Sequence, residues 1–120
     1  MPSDLESVQD IALAATGRIG SELCFRFPEV LNVTTACTKN AIAILGVEIF
    51  EVRPEGYATK HLSTYDLKVQ NVPKQRTPWL EYVKANNALA KAFINENPAE
   101  GKDVYVLTAS SWRELLQLLS

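Results

Sequence analysis

Histidine occurs once in this chain, as His61, and cysteine twice, as Cys24 and Cys37, so these three residues bound its metal and nucleophile chemistry. A structural zinc site would need all three and a further ligand drawn from separate elements, and the twelve residues between the cysteines supply no close ligand pair. Glu48 and Glu51 belong to no recognisable calcium loop. No metal is therefore expected. Cys37 falls near the start of an expected helix, where backbone amides favour a thiolate; with His61 as base, and Thr38 and Tyr65 beside them, it would make a pocket for a small molecule or a small enzyme. The competing reading is structural: a cysteine between Ala36 and Ala41 suits helix packing, and free cysteine is among the most buried residue types.

Two other clusters carry weaker chemistry. Asn32, Thr34, Thr35 and Thr38 would either bind an anion at a helix N-terminus or simply cap it. Tyr57, Tyr65, Trp79 and Tyr82 interleave with Lys60, Lys68, Lys74 and Arg76. Aromatic and cationic residues mixed in this way anchor protein interfaces, or stack the bases of single-stranded nucleic acid. Packing of Trp79 and Tyr82 into the core is the alternative. The chain has no Gly-rich phosphate loop, dinucleotide fingerprint, nucleophile elbow or H-E-x-x-H motif, so no cofactor is expected.

Composition narrows the partners. The net charge of −2 argues against a surface built throughout for polyphosphate. Positive charge gathers only over residues 53–76, where Arg53, Lys60, Lys68, Lys74 and Arg76 face two carboxylates, Glu55 and Asp66. At 120 residues, 47% hydrophobic and 22% charged, the chain is expected to form one globular domain spanning 1–120. No apolar run approaches membrane-spanning length, and the acidic N-terminal residues are unlike a signal peptide, so a cytoplasmic protein with reduced thiols is expected.

These residues must be positioned by short elements. Ser3 and Glu6 match a capping box, and Leu5, Val8, Ala12, Ala15, Ile19 and Leu23 recur at helical spacing, predicting a first helix to about Cys24 with Pro28 stopping it, in which Gly17 and Gly20 mark either a close crossing by another element or a break. A second helix is predicted from Thr34 or Thr35 through Leu45, with Gly46 as its left-handed end. Val47–Val52 reads as a strand, Arg53-Pro54-Glu55-Gly56 as a turn and Tyr57–Ser63 as a wetter return strand; the broken alternation of the first strand implies cover on both faces or a bulge. Residues 64–76 read as loop with strand character near Tyr65 and Leu67. Thr77-Pro78 opens a third helix that ends at Asn97-Pro98, with a stripe of Trp79 or Leu80, Val83, Leu89 or Ala90, and Phe93 or Ile94. Within it, Asn86 and Asn87 either face water or meet a polar partner. Val104–Leu107 has the continuous apolar character of an interior strand, and Ser110 or Ser111 with Glu114 caps a last helix rich in leucine.

The predicted class is α+β, in the order ααββαβα. A strand–helix–strand unit between residues 57 and 107 admits a right-handed parallel crossover, giving a mixed three-stranded sheet packed by about four helices. The functional expectation is a small regulator or inhibitor, of the kind that neutralises a toxin or enzyme, working through a protein partner or a second copy of itself. Tyr57, Tyr65, Lys74, Arg76 and Trp79 are its candidate contacts, and Leu115, Leu116, Leu118 and Leu119 offer a further apolar face. The pocket around Cys37 and His61 is the second reading, and nucleic-acid binding through residues 53–76 the third.

Overall fold

A computed structural model describes Leu5 and residues 7–64 and 73–119. The chain forms α1 (Gln9–Ala14), β1 (Gly17–Ile19), β2 (Glu22–Phe25), α2 (Glu29–Lys39), β3 (Ile42–Arg53), β4 (Gly56–Thr64), α3 (Arg76–Glu96), β5 (Val104–Ser111) and α4 (Trp112–Leu119). The α+β class and the four helices agree with the sequence. The sheet does not: among the described residues it has five strands in the order β1-β2-β5-β3-β4, and every neighbouring pair is antiparallel.

The parallel crossover fails because β5 does not lie beside β4. It inserts between β2 and β3, where Tyr105 faces Phe25 on one side and Ile49 on the other. An interior position on both edges accounts for its unbroken apolar run. The missing strands are the N-terminal hairpin. The first helix stops at Ala14, and Gly20, at φ 61°, makes the two-residue turn that pairs Ile19 with Glu22. Periodicity misled here because Leu23, Cys24 and Phe25 are buried as strand residues. The Ser3–Glu6 capping box lies outside the described residues.

The second helix is displaced toward the N-terminus. Pro28 is its N-cap, opening it where it was expected to close the first, and Lys39 is its last residue. Ala41, at φ 58°, then turns the chain into β3, so Ile42–Leu45 are strand, and Gly46 is a buried strand residue. β-branched Ile42 and Ile44 favour that extended state. Register shifts between Ile44 and Gly46 and between Ile49 and Phe50 explain the broken alternation along β3. Arg53 pairs with Gly56, whose φ of 137° only glycine adopts readily, so the expected Pro54-Glu55 turn forms.

Three apolar groups follow. On the inner face, Phe25, Ile42, Ile44, Val47, Ile49, Tyr105 and Leu107 pack against Val30, Val33 and Cys37 of α2 and Ala90 and Ile94 of α3. Each large side chain buried there contributes about 1.5–3 kcal/mol. On the opposite face, strand residues alone close a smaller group, Cys24, Val104 and Val106 flanked by Ile19, Phe50 and Val52. At the end of the sheet where β3 begins, Ala43 meets Trp79, Val83 and Leu115.

Asn87 joins α3 to this end of the sheet. Among the described residues β4 pairs with β3 as far as Gly46, and before that point the Asn87 amide bonds to the backbone of β3. Its Oδ1 accepts the Ile44 N–H at 2.8 Å, while Nδ2 donates to the Ile42 carbonyl at 3.0 Å and to Thr38 Oγ1 at 2.9 Å. A poor helix former is thus retained in mid-helix because the strand edge needs its amide. The buried Tyr105 hydroxyl plays a similar part after α3, accepting from the Ala99 N–H and donating to the Asn97 carbonyl, both at 2.7 Å. Among the described residues, no helix is long and apolar enough to cross a membrane.

Candidate functional site

The chain enters α3 through Gln75, the N-cap, two residues earlier than Thr77-Pro78 implied, with Pro78 still in the first turn where its missing N–H costs nothing. Three residues into the helix, Trp79 turns inward and is only 2% exposed. Its Nε1–H donates to the Ala41 carbonyl at 3.0 Å, fixing the helix start against the reversal that begins β3. Trp112, the first residue of α4, stacks on it with centroids 6.3 Å apart and planes 16° from parallel, and Tyr82 tilts against it at 5.3 Å. The Trp112 Nε1–H donates to the Pro73 carbonyl at 2.7 Å, which holds the segment leading into α3. The Ser111 hydroxyl accepts the Glu114 N–H at 3.2 Å, the cap expected for the last helix.

Around this indole pair lies an open groove of about 340 Å³, with Trp79, Leu80 and Trp112 as its apolar wall and Asn40, Arg76 and Arg113 at its polar margin. Both arginines are exposed, and among the described residues neither is ion-paired and no carboxylate lines the groove. A guanidinium at each side of an aromatic wall is suited to a carboxylate-bearing segment that also carries an apolar side chain. The Asn40 amide is engaged at 2.8 Å with the Ala36 carbonyl, so the arginines supply the groove's unspent charge.

The structure divides the residues singled out from sequence. Arg76 and Trp79 meet in this groove, and Lys74 is exposed just before α3. Trp79 contributes as a wall and a packing residue, not as a projecting anchor. Tyr57 is half-exposed but pairs with Val52 at the far tip of the β3–β4 hairpin, on the order of 30 Å along β3 from Ala43. Tyr65 lies outside the described residues. Trp112, Arg113 and Asn40 were missed: the sequence shows Trp112 only as one apolar residue of a leucine-rich helix, and nothing local pairs Arg113 with Arg76.

The alternative sites weaken on geometry. Cys37 is fully buried in the main core, where desolvation pushes its thiol up to about 12, so the expected activation at a helix start does not occur. It sits late in α2, and α2 packs against β3 and α3, whereas His61 belongs to β4 beyond β3. Thr34, Thr35 and Thr38 lie inside α2, not at its N-terminus, and bond back to the Leu31 and Thr34 carbonyls. Of the positive stretch 53–76, Arg53 is paired with Glu51 and Lys60 with Asp103, each at 3.0 Å, which thins the charge that a nucleic acid would meet. Among the described residues no three His, Cys, Asp or Glu side chains gather as a metal would require. Leu115 is buried against Ala43 and Trp79, so part of the terminal leucine face is spent on docking.

No protein-family model matches the chain, and comparison with curated proteins and with solved structures finds no match.

Proposed function

We propose that the protein is a binding module, a small regulator or inhibitor that grips an acidic, apolar-bearing segment of a partner protein in the groove between α3 and α4. The observation that carries this reading is the flanking of the stacked Trp79–Trp112 pair by Arg76 and Arg113, two arginines without carboxylate partners among the described residues. Arginine and tryptophan are the side chains that most often dominate binding energy at protein interfaces. The indoles are held by the Ala41 and Pro73 carbonyls, so little side-chain freedom is lost when a partner docks.

A panel of acidic peptides of varied hydrophobicity, measured by fluorescence anisotropy against the wild type and the double variant Arg76→Gln, Arg113→Gln, tests it. Peptides combining carboxylates with a leucine or phenylalanine are expected to bind best, and the double variant to lose about tenfold or more in affinity, in line with one lost charge-assisted contact per arginine. Equal binding by the double variant, or no preference for acidic over basic peptides, would overturn the reading.

A further inference from the structure

On the central turns of α3 lies a second groove, of about 430 Å³, between that helix and α2. Lys39 closes one end of α2, while Lys84 and Lys91 project from α3; Thr34, Thr35 and Thr38 form the opposite wall. Lys84 and Lys91 are seven residues apart, so two helical turns place them on one face. The Lys91 Nζ lies 3.4 Å from Thr35 Oγ1. A chain of net charge −2 thus directs three of its twelve cationic residues into this groove and, among the described residues, no carboxylate. None of the three lysines is ion-paired among the described residues. Like charges gathered without a counter-charge repel one another, and an anionic ligand relieves that repulsion.

The floor of the groove narrows the ligand class. Asn87 is committed to Ile44, Ile42 and Thr38, Thr34 Oγ1 donates to the Leu31 carbonyl at 2.7 Å, and Thr38 Oγ1 donates to the Thr34 carbonyl at 3.1 Å. The groove therefore offers ammonium groups more than fixed hydroxyl donors. Lys84 and Lys91 are separated by about 10 Å along the helix axis, further than one phosphate group bridges. The volume falls within the roughly 300–1,000 Å³ of small-molecule sites and is bounded by two helices.

We propose that the α2–α3 groove binds a small ligand carrying two or more linked phosphate groups, held by Lys39, Lys84 and Lys91. Neither its residues nor its ligand is shared with the arginine–tryptophan groove. Titration calorimetry at low salt with inorganic triphosphate and with orthophosphate tests it, on the wild type, on Lys84→Gln, Lys91→Gln, and on the Arg76→Gln, Arg113→Gln control. Triphosphate is expected to bind the wild type and the arginine control alike, and the lysine double variant about tenfold or more weakly, because two exposed charges are removed. Orthophosphate should bind more weakly than triphosphate to the wild type. A nucleoside triphosphate identifies the source: affinity equal to inorganic triphosphate assigns the groove to the phosphates alone, and tighter binding to a nucleotide. The proposal is overturned if triphosphate fails to bind the wild type, if the lysine variant binds it undiminished, or if a single-stranded oligonucleotide binds through the same lysines more tightly than triphosphate does. All three lysines are exposed, so the variants are expected to keep the wild-type circular dichroism spectrum.

Discussion

The first turn of α3 and its central turns each border a groove, and the two are made of different materials. At the first turn, flat guanidinium groups flank indole rings that are themselves locked by hydrogen bonds. At the centre, flexible ammonium groups face threonines whose hydroxyls are turned back onto the helix backbone. Rigid aromatic surface with planar cations suits recognition of a shaped partner, whereas mobile point charges suit a compact polyvalent anion. One helix thus borders two grooves of different chemistry, and Asn87, on the floor of the second, anchors it to the sheet.

That contrast is broken most severely at Trp79. Trp79→Ala should destabilise the fold by about 3–5 kcal/mol, since a fully packed indole and its bond to Ala41 are lost. Chemical denaturation measures this, and a loss below about 1 kcal/mol would mean that the indole is not the packing centre described. Asn87→Leu comes next, at about 2–4 kcal/mol, because the Ile44 N–H and the Ile42 carbonyl lose their side-chain partner. Hydrogen exchange should show the Ile44 amide losing protection; an unchanged rate there would refute the strand-edge role.

A smaller effect concerns the wall of α2 behind the lysine groove. The Cys37 thiol is raised to about 12 when folded, against an ordinary value of 9.0. Its contribution is therefore complete below pH 9.0 and is lost as pH rises toward 12, because the unfolded chain releases the proton first. Tyr105 and Lys60 are also raised, by burial and by the Asp103 contact respectively, and act in the same direction, but from ordinary values of 10.0 and 10.5. Between pH 9.0 and 10.0 the decline should belong chiefly to Cys37, and the denaturation midpoint of Cys37→Ala should fall less steeply there than that of the wild type. Parallel slopes would contradict this. The smallest effect is on stability at the grooves' rims: the arginine and lysine double variants should each stay within about 1 kcal/mol of the wild type, so that any binding they lose is binding alone.

Local signals in the sequence located the elements that rest on local chemistry. Proline and asparagine marked the two ends of α3, glycine allowed the hairpin turn at Gly56, and Ser111 capped α4. The N-terminal hairpin was hidden because Leu5, Val8, Ala12, Ala15, Ile19 and Leu23 satisfy a helical period, and it is pairing of β2 with β1 and with distant β5 that makes Cys24 and Phe25 strand residues. The start of β3 was hidden similarly, since alanine and isoleucine serve either state until Asn87 and β5 supply partners. Of the residues lining the groove, Arg76 and Trp79 stood out in the sequence through the basic-aromatic pattern near a helix start. Arg113 and Trp112 were not, because they reach the groove from a helix more than thirty residues away in sequence. The lysine groove depends on the same kind of long-range meeting, between α2 and α3.

The insertion of β5 between β2 and β3 also dictates an order of events during synthesis. The β3–β4 hairpin can zip from its own turn, but Cys24 must wait for Val106, and Phe25 for Tyr105, residues that leave the ribosome about eighty positions later. Until then Leu23 and Phe25 can meet only the nearby apolar residues of α1 and α2, and their burial is completed when β5 arrives.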